Sequence, residues 1–156
     1  MYTGAAMKTL ALMICGLVVY AADPAEAVYW SAAKLKDMDK SANAKLNPDR
    51  HLGTERMMDS AFVAFRNGPG EAEMHENLAD LLIIREGSGT VVVGGTMIEG
   101  RSTAEGEMRG KAIDGGKKYP IAAGDILYVP ANVVHQFQVG PGESFTALVI
   151  KLTPRK

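Results

Sequence analysis

Cysteine is almost absent from this chain. Cys15 stands alone, so neither an internal disulfide nor a thiolate metal cluster can form, and any metal must be held by histidine and carboxylate. A surplus of one charge is also missing: 17 Lys and Arg stand against 18 Asp and Glu, for a net charge of -1. With no long run of either sign, the chain lacks the basic field that nucleic acid binding needs. Its mostly apolar, uncharged stretch from Thr9 to Ala22 is shorter than the roughly 20 residues of a membrane span. No Ser/His/Asp order, phosphate-binding glycine loop or coiled-coil heptad is present, which removes the best-marked hydrolase, nucleotide-binding and fibrous classes.

At 156 residues and 47% hydrophobic content, the chain suffices for one domain with a real core. Residues 1–27 have the three parts of a secretory signal peptide: Lys8, the Thr9–Ala22 run, and Ala25-x-Ala27 before the expected cleavage site. Met7 is an alternative start. Bulky Ile14 precedes Cys15, against lipidation at that cysteine. Removing the segment also removes Lys8, Asp23 and Glu26, leaving a neutral chain expected to be secreted or periplasmic, with no membrane association.

Residues 28–50 differ in composition from the rest of the mature chain. Ser31 to Ala44 is rich in Ala and Lys without Gly or Pro; Ser31 can cap a helix, and Leu35, Met38 and Ala42 share one face. Asn47-Pro48 stops it. The apolar stripe is narrow, so the arm is expected to pack on the domain edge or on a second subunit. From His51 onward, short apolar runs are broken by turn chemistry. Seven strands are predicted: Ser60–Arg66, Ala72–His75, Asp80–Arg85, Thr90–Val93, Ile126–Val129, His135–Val139 and Phe145–Leu152. The breaks include Glu86-Gly87-Ser88-Gly89, Gly94-Gly95, Ala123-Gly124-Asp125 and Gly140-Pro141-Gly142. The 17 glycines and the lack of a long helix between strands point to an all-β sandwich or barrel. Met97 to Lys118 is polar and weakly periodic, and is expected to be a long loop with one short strand around Met108–Ile113.

Two segments carry recognisable spacing. The first is Glu73-x-His75-x4-Asp80-x6-Gly87, and the second is Gly124-x5-Pro130-x-Asn132-x2-His135-x3-Val139. In order and spacing they resemble the two motifs of the cupin superfamily, G-x5-H-x-H-x3,4-E-x6-G and G-x5-P-x-G-x2-H-x3-N. The likeness covers roughly Phe62 to Leu152. It implies a double-stranded β-helix, a jelly-roll barrel over residues 51–156 with the helical arm before it. Residues two apart on a strand share a face, so Glu73 and His75 point inward together; the gap to Asp80 has the wrong parity and calls for a turn or bulge around Asn77. His135 arrives from a distant strand launched by Pro130 and Asn132, with Phe137 and Val139 on its inward face.

The chain departs from the cupin pattern at Glu73 (His in the motif), Asp80 (Glu), Asn132 (Gly) and Val139 (Asn). His75 and His135 remain, with Asp80 and Glu73 as carboxylates. This set suits a divalent ion such as Mn, Fe, Zn or Ni with open positions; the alternative is a metal-free pocket in which both imidazoles are satisfied polar groups. The resemblance implies a small-molecule ligand bound by Glu73, His75, Asp80 and His135, in a binding protein or a metal-dependent enzyme of dioxygenase or isomerase type. A dimerisation module with a vestigial pocket is the third reading, and a homodimer is expected in any of them. His51 is expected to be structural or superficial, Arg85 to face away from Asp80 into a surface ion pair, and Met57-Met58 to fill the core. Arg101, Arg109, Lys111 and Lys117 are expected in a solvated loop or at the pocket mouth.

Overall fold

The computed structural model describes residues 26–154. Apart from its last two residues, the leader expected at residues 1–27 lies outside them, as does Cys15. No helix among the described residues is long and apolar enough to cross a membrane.

Helix α1 spans Ala32–Ala44, and the Ser31 side chain caps it by accepting a hydrogen bond from the Lys34 amide at 3.1 Å. Its buried face is narrow: Met38 and Ala42 pack on Val63, with Leu35, Met57 and Phe65 around them. An ion pair supplements this small contact. Arg85 donates through Nε and Nη2 to the two oxygens of buried Asp39, at 2.9 and 2.8 Å, so the arginine expected to face away from Asp80 pins the helix to the barrel. Gly53 is required here, because any Cβ would collide with the Ala42 carbonyl.

Twelve strands follow: β1 (Leu52–Met58), β2 (Ala61–Arg66), β3 (Ala72–His75), β4 (Ala79–Val93), β5 (Thr96–Ile98), β6 (Arg101–Ala104), β7 (Glu107–Gly110), β8 (Ala112–Asp114), β9 (Lys117–Ala122), β10 (Ile126–Val129), β11 (His135–Gln138) and β12 (Phe145–Leu152). All pairings are antiparallel. One wall runs β1-β2-β12-β4-β10, and the other runs β9-β4-β11-β3-β7-β6. Strand β4 belongs to both: Ala79–Gly87 pairs with β12, and Ser88–Val93 pairs with β9. The curled sheet is the all-β jelly-roll barrel expected. Ile84, Val91, Phe137, Phe145 and Ala147 fill it between the walls.

Three expectations need correction. Asp80–Arg85 and Thr90–Val93 are one strand rather than two, because Glu86-Gly87-Ser88-Gly89 bends the chain from wall to wall instead of reversing it. The register slips at this bend, and Gly87 takes φ 74 against the Ser144 carbonyl. Residues 97–118 are not a loop but carry β5 to β8 and the start of β9. Much of this region is exposed, β6 at every residue, so no apolar alternation marks it. Strand β1 was not anticipated, since Gly53, Thr54, Glu55 and Arg56 interrupt its pattern.

Candidate metal centre

The ends of several strands converge on one point inside the barrel. His75 closes β3, His135 opens β11, and Asp80 lies one residue into β4. His135 pairs directly with Glu73 across β11 and β3, which sets those side chains side by side. The bend at Glu76-Asn77 supplies the change of parity that brings Asp80 inward. Asn132 locks this arrangement: in the left-handed region at φ 64, it donates from its amide to the His75 carbonyl at 2.8 Å and from Nδ2 to the Glu76 carbonyl at 3.0 Å. Asn tolerates that backbone better than most residues, and so it can stand where the cupin motif has Gly.

All four sequence-predicted residues meet. The His75 and His135 rings lie 5.5 Å apart. His75 Nε2 is 3.4 Å from Asp80 Oδ2; His135 Nε2 is 3.6 Å from that same oxygen and 3.6 Å from Glu73 Oε1. The histidines are 5% and 1% exposed and Asp80 is 4% exposed, while Glu73 is only partly buried. The ligand atoms of Glu73, His75 and His135 all lie within 4.8 Å of one another.

Three further side chains complete the site, none of them among its sequence-predicted members. Both oxygens of Glu107 lie 2.8 Å from His75 Nδ1. Arg109 sits 3.4 Å from Glu73 and 3.1 Å from Glu107, so the suggested pocket-mouth residue belongs to the site itself. Lys151 donates to Asp80 Oδ1 at 2.6 Å and to His75 Nε2 at 2.9 Å. Glu107 and Arg109 come from β7, in register with His75 and Glu73 on β3; a strand hidden in a polar stretch gave no signal. Lys151 did give one. It continues the alternation of Phe145, Ala147 and Val149, all buried, so strand parity places it inside the barrel.

These contacts set the charges. Burial opposes ionisation of Asp80, but the facing His135 and His75 rings and the adjacent Lys151 ammonium outweigh it, so its carboxyl titrates well below the usual range. For His75, burial disfavours the charged form most strongly and Lys151 adds to that; Asp80 and Glu107 prevail, and its pKa is raised. Above that pKa, Nδ1–H donates to Glu107 while Nε2 accepts from Lys151, the tautomer a metal-ligating imidazole needs.

The donor set fits a metal ion. Among the described residues, His135 Nε2 is buried without a hydrogen-bond partner, while Nδ1 on the same ring lies 3.2 Å from the Val133 carbonyl. A donation there leaves Nε2 as a lone pair aimed at Glu73 and Asp80. Ligands bonded at about 2.1 Å in a tetrahedron stand about 3.4 Å apart, and His135 Nε2 and Glu73 Oε1 are 3.6 Å apart.

No protein-family model and no curated protein sequence matches the chain. Solved structures do. A protein from Bacillus halodurans superposes with a TM-score of 0.50 at 14% identity, covering 87% of this chain and 89% of that one. A protein with a double-stranded beta-helix domain from Klebsiella pneumoniae gives 0.49 at 13% identity, over 82% and 91%. A cupin protein from Bacteroides fragilis gives 0.40 at 17% identity, over 60% and 66%. The chain has a cupin fold. It spans less than two thirds of the length of the Bacteroides cupin and of two other matches, at 66%, 65% and 56%. Within the cupin barrel, the substitution of Glu73 for the first motif histidine places a carboxylate beside His135, and the buried Val139 joins the apolar core.

Proposed function

We propose that this cupin binds a small molecule inside its barrel and holds a divalent ion there through His75, His135 and Glu73, with Asp80 next to both histidines. The observation that carries this reading is the buried His135 Nε2, without a hydrogen-bond partner among the described residues and 3.6 Å from two carboxylates. A buried acceptor lone pair in that position is costly unless a donor or a cation meets it. Glu107 orients His75 from behind, as carboxylates do for metal-bound imidazoles, and Arg109 steadies Glu73. A bound ion supplies Lewis acidity and open positions for an oxygen ligand. The test is elemental analysis after equilibration with Mn, Fe, Zn or Ni and removal of free ion: one ion per chain in wild type and loss in His135→Ala supports the reading, and no stoichiometric ion from any of the four rejects it.

A second reading has its own observation. Lys151 already bridges Asp80 and His75, and an internal ammonium in that position suits a metal-free ligand pocket. The two readings differ in whether an ion can displace Lys151.

Export and self-association belong to the same proposal. Export rests on the leader-like residues 1–27. Association with a second copy is favoured by β10, which pairs only with β4 among the described strands and exposes Ile126 and Tyr128, 67% and 53% accessible, on one face. Light scattering on wild type and on an Ile126→Lys, Tyr128→Lys double variant tests this. A wild-type dimer that the variant converts to monomer supports it, and a wild-type monomer across concentrations rejects it.

A further inference from the structure

A cavity of about 220 Å³ lies inside the barrel against the site. Phe62, Phe145 and Val149 form its apolar side, with His75, Asp80 and Lys151 on the other. It shares Arg50, Leu52, Arg66, Glu73 and Arg109 with a cleft of about 510 Å³. Most cations around these two spaces have a carboxylate within 4.0 Å. Arg109 has Glu73 and Glu107, Lys151 has Asp80, Arg101 has Glu71, and Lys111 has Glu99. Arg50, exposed at the rim, and Arg66 are the cations without an ion pair among the described residues.

Arg66 is unlike Arg50 in being 7% exposed. It ends β2 on the inward face, following Phe62 and Ala64 by strand alternation, and all three line the cavity. Its one side-chain hydrogen bond among the described residues is a long one, from Nη1 to the Arg50 carbonyl at 3.4 Å. The guanidinium lies 5.5 Å from the centre of the Phe137 ring. At Gly70 a Cβ would come within 2.5 Å of Nη1, so the missing side chain leaves this head group room. A guanidinium offers five donors, and most of them have no partner among the described residues. Burial works to lower the Arg66 pKa, with the Glu73 charge acting the other way. A buried cation with neither carboxylate nor full hydrogen bonding is costly, and a planar fork of donors matches a carboxylate in bidentate fashion.

We propose that the cavity takes a small organic monocarboxylate, its carboxylate on Arg66 and its apolar body against Phe62, Phe145 and Val149. The apolar wall favours an organic acid over inorganic phosphate, and Glu73 and Glu107 nearby repel a second negative charge. This names the ligand class of the binding site proposed above and rests on that part of the reading, while needing no metal.

The test is calorimetry and thermal unfolding of the full chain in excess EDTA, with sodium butyrate, hexanoate and benzoate as probes. Benzamide and inorganic phosphate are the controls. At least one carboxylate is expected to bind and raise the melting temperature at millimolar concentration, with benzamide and phosphate inert. Arg66→Met is expected to weaken binding roughly 10- to 150-fold, the loss of a hydrogen-bonded charge; Arg66→Lys should keep part of the affinity, and exposed Lys118→Ala all of it. If Arg66→Met does not fold, Arg66→Lys and the wild-type contrast between benzoate and benzamide decide. The proposal is overturned if no carboxylate acts on wild type, if benzamide or phosphate does as well, or if Arg66 variants bind like wild type. Carboxylate binding that appears only when Mn is added, and survives in Arg66→Met, also overturns it but leaves the metal reading standing.

Discussion

Replacing Lys151 by Met separates the metal reading from its metal-free rival more sharply than removing a ligand does. In the structure, the ammonium donates to Asp80 at 2.6 Å and to His75 Nε2 at 2.9 Å, and His75 Nε2 is one of the donor atoms an ion needs. A metal must therefore displace Lys151. Each hydrogen bond to a charged group contributes about 1.5–3 kcal/mol net; with the lysine side chain 20% exposed, about 3 kcal/mol for the two together is reasonable. Lys151→Met removes this competition, so metal affinity should rise about 100-fold, at about 1.4 kcal/mol per tenfold. The metal-free variant should instead be less stable, since buried Asp80 loses a cationic partner; at about 2 kcal/mol and 2–4 °C per kcal/mol for a chain of this size, its Tm falls by roughly 4–8 °C. Titration against a chelating indicator gives the affinity, differential scanning calorimetry gives the Tm, and Lys118→Met is the surface control. Affinity in Lys151→Met equal to or below that of wild type would refute the reasoning.

Other expectations rest on the same geometry. His75→Ala or His135→Ala should fold, because strand alternation and turns specify the barrel, yet lose more metal affinity than Glu107→Gln, where loss of an outer partner costs roughly 10–100-fold; circular dichroism and metal titration check both. Asp80 has a depressed pKa, so its stabilising contribution is present above the free value of about 3.9 and is lost as the pH falls through the lower folded value; urea titrations should show Asp80→Asn less stable than wild type at pH 6 but flatter below pH 4. His75, with a raised pKa, stabilises the metal-free protein below about pH 6.5 and loses that contribution as the pH rises through its folded value, whereas metal binding needs the neutral ring and should strengthen over the same range. Arg85→Ala leaves Asp39 buried without its partner and should cost about 2–3 kcal/mol by chemical denaturation. Exported protein should begin near Val28 on N-terminal sequencing; an intact Met1 or Met7 end in a membrane fraction would reject the leader.

Much of the barrel was legible because its strands are half-buried. Where one face meets the core, as in Phe145–Leu152, period-two alternation is written in the residues. Where a strand lies at an exposed edge, as in β6, neither face demands apolar side chains and the segment passes for a loop. Glycine was misleading for a related reason: Gly87 permits a positive φ, which serves a bend within β4 as well as it serves a reversal, and only the pairing of Ser88–Val93 with β9 distinguishes them. The site residues followed from the resemblance of two short segments to the cupin motifs. Glu107 and Arg109 could not, since their positions depend on the register of β7 against β3, while Lys151 was accessible to parity alone.

The most direct measurement is anomalous diffraction from crystals soaked in Mn(II) or Zn(II). The account predicts one peak per chain within about 2.1–2.3 Å of His135 Nε2 and His75 Nε2, with a Glu73 oxygen on the ion and the Lys151 ammonium moved away from His75. No peak at the centre, with Lys151 still bonded to Asp80 and His75 under saturating ion, would contradict it.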